Sequence, residues 1–174
     1  MRNSLVAEAS LTEVASFADV VRLHQSMVFS IAYHFLRDRC AAEEVAQDVF
    51  LKLHTKLGAL ESPDHVKFWL RKTASHRSID YARKRRSGAV ALEDAPELSV
   101  DADPGDPLLR ARLKALIASL PEAPRMVMIL RYQEELMPEE IAGVLSMPVR
   151  TVKSHLHRSL AMLREKIARS MGDM

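Results

Sequence analysis

A break in helical periodicity divides this chain and limits what it can fold into. The stretch SGAVALEDAPELSVDADPGDP, at positions 87–107, holds three of the eight prolines and two of the five glycines. No sustained 3.6-residue apolar repeat runs through it, whereas such repeats are present on both sides. The sequence therefore predicts two small helical domains, residues 12–86 and 108–170, joined by a flexible acidic linker.

The composition favours helices over sheets. Hydrophobic residues make up 48% of the 174 residues, enough for a sizeable core, but aromatic residues make up only 5%. Long sheets and hairpins usually need more aromatic, β-branched and glycine residues than this. The predicted fold class is all-α. The single cysteine, Cys40, excludes an internal disulfide, and we expect it to be a small buried core residue.

The sequence lacks the patterns typical of enzymes and membrane proteins. Its seven histidines include no HExxH pair, and it has neither a glycine-rich phosphate loop nor a GxSxG motif. No apolar run approaches the roughly 20 residues that span a bilayer, and the N-terminus lacks the order of a signal peptide. We expect a cytoplasmic protein with no catalytic residue, cofactor, metal ion or small-molecule substrate.

Charge alternates along the chain. The net charge is −3 over residues 1–64, +7 over 65–86, −6 over 87–109 and +4 over 110–174. An evenly solvated surface does not require such a pattern. Two basic segments separated by an acidic one are typical of a protein that makes two separate contacts with a polyanion.

Apolar repeats predict three or four helices in the first half. Residues spaced three, four or seven apart predict one helix from Phe17 to Phe35 and another from Val45 to Leu60. The stretch RDRCAAEE is predicted to connect them. A further helix is predicted from about His65 to Arg85, because Ser62 suits an N-cap and Pro63 suits the first helical position.

This last helix includes KFWLRKTASHRSIDYARKRR at positions 67–86 and is strongly basic. Trp69, with Leu70, is predicted to anchor it in the core. Cations, histidine and serine after a loop suit single-stranded or melted nucleic acid, whose unstacked bases need cations and stacking partners. A solvated basic helix end is the alternative. The residues predicted on its exposed side are Arg71, Lys72, His76, Arg77, Arg83 and Lys84.

The stretch EEIAGVLSMPVRTVKSHLHRSL, at 139–160, predicts a helix-turn-helix. Ala142 is small enough for two helices to cross closely, and the second helix has inward apolar residues at steps of three or four. Such a helix fits the major groove of DNA, about 12 Å wide, where its first residues meet base edges. The alternative is an ordinary amphipathic helix with a solvated face. The outward residues are Arg150, Lys153, Ser154, His157 and Arg158.

An acidic and polar patch is predicted near the start of the second helix. Its members are Glu43, Glu44, Gln47 and Asp48. Early acidic residues support the helix dipole, and the same patch suits the docking of a basic protein partner. The residues leave both interpretations open.

The chain resembles bacterial RNA polymerase sigma factors of the extracytoplasmic-function group (ECF, group IV of the sigma-70 family). AAEEVAQDVFLKLHTKL resembles that family's sigma-2 helix, and FWLRKTASHRSIDYARKRR its promoter-melting and −10 helix. SLPEAPRMVMILRYQEELMPEEIAGVLSMPVRTVKSHLHRSLAMLREKI resembles its sigma-4 domain. The likeness covers about residues 17–86 and 110–167. It implies a transcription initiation factor that binds core RNA polymerase, directs it to promoters and helps to melt the −10 region.

The resemblance also implies three sets of functional residues. Docking on the coiled coil of the largest polymerase subunit falls to Glu43, Glu44, Gln47 and Asp48. Capture of the −10 strand falls to the loop Glu61–His65, with Ser62, Asp64 and His65, and to Trp69, Arg71, Lys72, His76, Arg77, Asp80 and Arg83. Reading of the −35 duplex falls to Arg150, Thr151, Lys153, Ser154, His155, His157 and Arg158. Further expected partners are the polymerase flap and an anti-sigma factor, and the linker is expected to run towards the RNA exit path.

Some positions depart from the family pattern. His76 stands where asparagine is usual, and Ser146 stands where the turn usually has glycine. Met137 replaces a capping serine, so Pro138 is expected to set the start of its helix alone. The alternative function is a helix-turn-helix regulator that binds duplex DNA without polymerase. Such a regulator needs neither the Trp69 helix nor the acidic patch.

Overall fold

The computed structural model describes residues 16–88 and 107–172, which form seven α-helices and no strand. The all-α prediction is confirmed. Within those ranges, no helix combines the length and apolarity needed to cross a membrane. The helices are α1 Phe17–Leu36, α2 Arg39–Lys56, α3 Pro63–Ser87, α4 Pro107–Ala118, α5 Glu122–Tyr132, α6 Pro138–Leu145 and α7 Val149–Gly172.

Reciprocal hydrogen bonds fix the start of α1. The Ser16 hydroxyl accepts from the Asp19 backbone N–H at 3.3 Å, and the Asp19 carboxylate accepts from the Ser16 N–H at 3.3 Å. This capping box satisfies two donors that a helix start leaves without partners. Further along α1, Val20, Ile31 and Phe35 are buried, as their spacing predicts.

The connection between α1 and α2 is only two residues long. Arg37 adopts a left-handed conformation with φ 59°, and the Asp38 carboxylate then accepts from the Ala41 N–H at 3.0 Å. The prediction that RDRCAAEE forms the connection is wrong. The left-handed residue and the aspartate cap complete the turn at once, so the residues from Arg39 onwards are already helical.

Cys40 is exposed, and the prediction of a buried cysteine is wrong. It is the second residue of α2, and the two residues that follow it, Ala41 and Ala42, are the ones that are buried. The prediction relied on the usual burial of free cysteine, whereas the direction in which α2 enters the core decides which of its first residues face inward.

The basic helix α3 begins as the sequence predicts. The Ser62 hydroxyl accepts from the His65 N–H at 3.1 Å, and Pro63 occupies the first position of the helix. Leu70 is fully buried, whereas Trp69 is half-buried and packs against the edge of the core. Leu70 is therefore the anchor of this helix, and Trp69 packs at the edge of the core.

The second half contains the predicted helix-turn-helix in α6 and α7. Ile141 and Leu145 on α6 are buried, as are Val152 and Leu163 on α7. The preceding helix, α5, begins at Glu122, and Pro124 is its third residue. Proline is equally acceptable elsewhere in the first turn, where its missing N–H has no helical acceptor to lose.

The two ends of α6 show how the departures from the family pattern are accommodated. Ser146, in the turn, adopts a left-handed conformation with φ 54° and ψ 45°. At the other end, the Glu140 carboxylate accepts from the Met137 N–H at 2.7 Å. Pro138 therefore does not set the helix start alone, because Glu140 supplies half of a capping box.

The two halves pack against each other and share one hydrophobic core. Buried side chains of α3, including Leu70, belong to the same cluster as Met126 and Ile141 of the second half. α3 packs on α6, and α1 packs on α5. Arg125 bridges the halves, since its Nη1 donates to the Phe35 carbonyl at 3.3 Å and its guanidinium lies 5.2 Å from that ring's centroid. The sequence did not predict this contact.

The cap of α2 predicts a pH-dependent contribution to stability. The Ala41 N–H, and then Arg85 at 2.9 Å, hold the pKa of Asp38 below its ordinary value of 3.8. The charged form is favoured in the fold, so this contribution is present above pH 3.8 and is lost as pH falls through the lower folded pKa. Asp38→Asn keeps an acceptor for Ala41 but loses the charge.

We expect Asp38→Asn to lower the free energy of unfolding by about 0.5–1 kcal/mol at pH 7, in the range of partly exposed ion pairs. Asp38→Ala loses the cap as well and is expected to cost about 1 kcal/mol more. Urea unfolding at pH 7, 5 and 3.5 measures both. A difference between wild type and Asp38→Asn that stays constant down to pH 3.5 contradicts the assignment.

The turn between α6 and α7 predicts a stabilising substitution. A left-handed conformation costs a residue with a Cβ roughly 1–2 kcal/mol, and glycine loses about 0.5–1 kcal/mol through the entropy of the unfolded chain. Ser146→Gly is therefore expected to raise the free energy of unfolding by about 0.5 kcal/mol. Ser146→Ala is the control, because it keeps the Cβ. Equal effects of the two substitutions in urea unfolding would show that the backbone conformation is not the cause.

Candidate nucleic-acid interface

The outer face of α7 is a polar and basic surface. Arg150, Lys153, His157 and Arg158 are exposed, whereas Val152 is fully buried on the opposite side. Three further residues of the predicted set are half-buried on the outer side or its edges: Thr151, Ser154 and His155. The structure thus places all seven predicted residues within the first ten positions of one helix, where a recognition helix meets DNA.

Two side chains of this face, Lys153 and His155, have neighbours that affect their charge. Lys153 Nζ lies 3.1 Å from the Glu139 carboxylate at the start of α6, and both side chains are exposed. Burial, and then the charge of Arg158, lower the pKa of His155. A neutral imidazole retains one donor and one acceptor, so it can serve as either partner in a hydrogen bond.

The predicted loop before α3 is exposed and locally ordered. Ser62, Asp64 and His65 are all exposed. The Glu61 N–H donates to His65 Nδ1 at 3.4 Å, while the His65 N–H donates to Ser62. These two bonds tie the loop to the first turn of the helix and leave its side chains at the surface.

The cations of α3 are less exposed than the sequence suggests. The side chain of Arg71 is only 16% exposed, and its Nε lies 3.3 Å from the carboxylate of Glu134 in the second half. The placement of Arg71 on the solvent side is wrong, because α6 and the loop before it cover that end of α3. Arg83 is exposed but lies 3.2 Å from Glu122 at the start of α5.

The remaining residues predicted on α3 lie at or near the surface. Lys72 lies 6.0 Å from the centroid of the Phe68 ring, at the outer limit of a cation–π contact. His76 is half-buried and Asp80 is exposed. Phe68 is 41% exposed, so an aromatic face stands beside a cation on this part of α3. From the sequence, Phe68 is expected only to compensate for Val66, which stands where the family usually has phenylalanine.

The acidic patch of α2 is joined to α3. Asp48 lies 2.9 Å from Arg77, and the Tyr81 hydroxyl donates to Glu44 at 3.1 Å. Burial and this bond raise the pKa of Tyr81. Asp48 and Glu44 therefore also hold α2 against α3, whereas Gln47 is exposed.

The helix-dipole interpretation of this patch is wrong. Because α2 begins at Arg39, its first turn contains no acidic residue, and Asp38 serves as the cap. Glu43 lies in the second turn, where its carboxylate is 3.0 Å from Arg39 Nε.

An apolar groove beside the patch was missed in the sequence. It runs between α1 and α2, and Glu43 and Gln47 form its polar edge. Leu51, in its wall, is 71% exposed. The available signal was a second apolar stripe on α2, off the face of Val45 and Val49. The other lining residues are Phe17, Val21, Gln25, Ser26, Phe29, Ala46 and Phe50.

Known protein families account for this combination of elements. The family described as "Sigma-70 region 2" matches residues 20–88, and the one described as "Sigma-70, region 4" matches residues 110–163. The RNA polymerase sigma-E factor of Streptomyces avermitilis is 30% identical over 155 residues, with 89% of this chain and 87% of that protein covered. The chain belongs to the sigma-70 family of RNA polymerase sigma factors.

A further relative supports the extracytoplasmic-function group. The ECF RNA polymerase sigma factor SigW of Bacillus subtilis is 27% identical over 166 residues, with 87% of this chain and 89% of that protein covered. The resemblance to this group is confirmed. As a member, the chain is a transcription initiation factor that acts with RNA polymerase on promoter DNA, and it is not an enzyme.

Solved structures share the fold. CnrH, in complex with the cytosolic domain of CnrY, has a TM-score of 0.66 at 22% identity, with 94% of each chain covered. RpoE of Bartonella quintana, in complex with the anti-sigma factor NepR, has a TM-score of 0.67 at 21% identity. The latter match covers 87% of this chain and 96% of RpoE. Both matches extend across the two helical halves of this chain.

Proposed function

We propose that this sigma factor engages a promoter through two separate DNA contacts. Residues 108–170 read the −35 duplex with α7, and residues 12–86 capture the melted −10 strand with α3. The acidic linker at 87–107 joins them; residues 89–106 lie outside the described ranges. The observation that carries the proposal is the exposed outer face of α7.

The −35 contact follows from the shape and charge of that face. A helix with side chains is about 10–12 Å across, which matches the major groove. Arg150 and Lys153, in the first turns, are placed to meet base edges, while His157 and Arg158 lie further along, towards the phosphates. Thr151, Ser154 and His155 supply shorter donors and acceptors between them.

The −10 contact involves α3 and the loop before it. The exposed loop residues Ser62, Asp64 and His65 offer polar groups to an unstacked base. The cations, with the exposed ring of Phe68, offer phosphate contacts and a stacking surface, the two elements of single-strand binding. The helix residues assigned to this contact are Arg71, Lys72, His76, Arg77, Asp80 and Arg83.

Core polymerase docks on α2. Glu43 and Gln47 border the apolar groove between α1 and α2, and Glu44 and Asp48 lie beside them on the side of α2 that contacts α3. An apolar centre with a polar rim is the usual anatomy of a protein interface. The coiled coil of the largest subunit is the proposed occupant, and the second half is assigned to the flap. We further propose that the protein acts in the cytoplasm and is held by an anti-sigma factor, the partner type of the structurally similar RpoE.

A helix-turn-helix regulator acting without polymerase is the weaker alternative. The match to sigma-70 region 2 covers residues 20–88, the half that a stand-alone regulator does not need. The family match therefore favours the polymerase-dependent function over a regulator that only binds duplex DNA.

Lys153 and Arg158 are expected to make different kinds of contact with DNA. Loss of a base contact in Lys153→Ala should cost on the order of 1–3 kcal/mol and relax the preference at one −35 position. Loss of a phosphate contact in Arg158→Ala should weaken all sequences alike and lower the salt slope by about 0.9. Binding to a set of −35 duplex variants at several salt concentrations measures both.

The control is Arg164→Ala, an exposed arginine further along the same helix. It is expected to change neither sequence preference nor salt slope. If Lys153→Ala weakens every duplex equally, or if Arg158→Ala changes the preference, α7 lies in the groove differently from the proposal.

The docking assignment predicts weaker binding to core polymerase. Asp48 also holds α3, so the test uses Glu43→Ala with Gln47→Ala, two exposed positions in a helix that tolerates alanine. We expect at least about a tenfold loss of affinity for purified core polymerase, or about 1.4 kcal/mol. The matched control is Glu165→Ala with Gln133→Ala, also exposed. Equal affinity of the two double variants for polymerase contradicts the docking site.

A further inference from the structure

Two arginines of the proposed −10 surface, and a third just beyond its end, are held by two glutamates of the second half. Arg71 pairs with Glu134 at 3.3 Å, and Arg83 pairs with Glu122 at 3.2 Å. Arg86 also contacts the Glu122 carboxylate. The two glutamates lie at opposite ends of α5, one at its first residue and one just after its last. Their carboxylates form ion pairs with the guanidinium groups that DNA phosphates are proposed to contact.

The spacing of the pairs matches between the two halves. Arg71 and Arg83 are 12 residues apart, as are Glu122 and Glu134. At the rise of an α-helix, 12 residues span about 18 Å. The two pairs therefore hold α3 at two points along its length, at Arg71 in its first half and at Arg83 near its end.

The pair at Arg71 differs from an ordinary surface ion pair. The side chains of Arg71 and Glu134 are 16% and 9% exposed. Burial raises the pKa of Glu134, and the charge of Arg71 opposes this rise. His24, which is buried close by, has its pKa lowered by burial and then by the charges of Lys67 and Arg71. Glu134 is thus the acid that compensates a cluster of basic groups, and its loss leaves a half-buried arginine without a counter-charge.

An apolar contact supports the ionic one. The Phe68 ring of α3 lies against Gly143 of α6, where an added Cβ would meet its Cε2 at 3.4 Å. Arg125 fixes α5 to the end of α1 through the Phe35 carbonyl and ring. Phe68 and Arg71 are both on the surface proposed for the −10 strand, so the same contact covers a stacking group and a cation.

The −35 surface is not covered in this arrangement. Arg150, His157 and Arg158 remain exposed on α7. Among the described residues, Lys153 forms an ion pair only with Glu139, within the helix-turn-helix itself, and is 60% exposed. The packing of the halves therefore leaves one proposed DNA surface open and covers part of the other.

We propose that Glu122 and Glu134 form an intramolecular latch: the closed chain binds the −35 duplex, but α3 captures the −10 strand only after the two halves separate. This inference rests on the proposed DNA contacts. Strand phosphates must replace the glutamates on Arg71, Arg83 and Arg86, and an unstacked base must replace α6 beside Phe68. By linkage, whatever opens the latch raises the affinity for the strand, and strand binding favours the open form by the same factor.

The test removes the two negative charges and measures opening and binding in the full chain. Glu122→Gln with Glu134→Gln keeps the side-chain shapes. The control, Glu135→Gln with Glu165→Gln, makes the same change in net charge at two exposed positions, one of them adjacent to Glu134. Energy transfer between dyes on the exposed Cys40 of α2 and on Ala168→Cys of α7 reports the separation of the halves.

We expect the latch variant to lose transfer efficiency and to bind a 12-nucleotide mixed-sequence single strand at least about fivefold more tightly, the lower end of coupling between sites. A 20-base-pair duplex carrying the −35 element selected by the wild type should bind both double variants equally. Circular dichroism with thermal unfolding verifies that the second half remains folded.

Two outcomes overturn the latch, and a third overturns the −10 assignment on which it rests. Equal transfer efficiency in latch and control variants shows that the glutamates do not hold the halves together. Lower efficiency with unchanged strand affinity, where the wild type does bind the strand, shows that the contact does not restrict α3. If the latch variant has a lower transfer efficiency than the control but no variant binds the strand, the glutamates do hold the halves together. The assignment of α3 to the −10 strand is then wrong. The failure of the proposed function is thereby separated from the failure of the latch.

Discussion

Burial of one apolar surface shared by both halves is the constraint on which the rest of the structure depends. Neither α3 nor α6 buries its apolar residues alone; Leu70 and Ile141 belong to one cluster, and Phe68 lies against Gly143. Because non-directional burial dominates folding, the apolar contact is the main force that brings the halves together. The arginines along α3 then lie beside the acids at the ends of α5. The ionic contacts therefore follow from the apolar packing. In the proposed latch, they decide whether the two halves separate.

Charge compensation distinguishes the two proposed DNA surfaces. On α3, Arg77 is balanced by Asp48 of its own half, while Arg71 is balanced by Glu134 of the other half. On α7, Arg158 is exposed at the surface. Desolvated pairs cost more to break than exposed ones, so a DNA strand meets a larger barrier at α3 than a duplex meets at α7. This difference suits an initiation factor that must locate duplex DNA before it binds a melted strand.

The local features of the fold could be predicted from the sequence, whereas the contacts between distant residues could not. Ser62 and Pro63 mark the start of α3 because a cap depends on residues within one turn. The pairing of Arg71 with Glu134 joins positions 63 residues apart, and no periodicity carries that information. Arg71 was therefore placed at the surface. The exposure of Cys40 was missed for a related reason, since it depends on how α2 is oriented on the core.

The most direct test of the account is run-off transcription by core polymerase reconstituted with the full chain on a library of randomised promoters. Two DNA surfaces on one chain predict that the transcribed templates share two short motifs at a nearly fixed spacing. Lys153→Ala should relax the upstream motif alone. No transcript above that of core polymerase by itself, or transcribed templates that share only one motif, contradicts the claim that this chain directs polymerase through two DNA contacts.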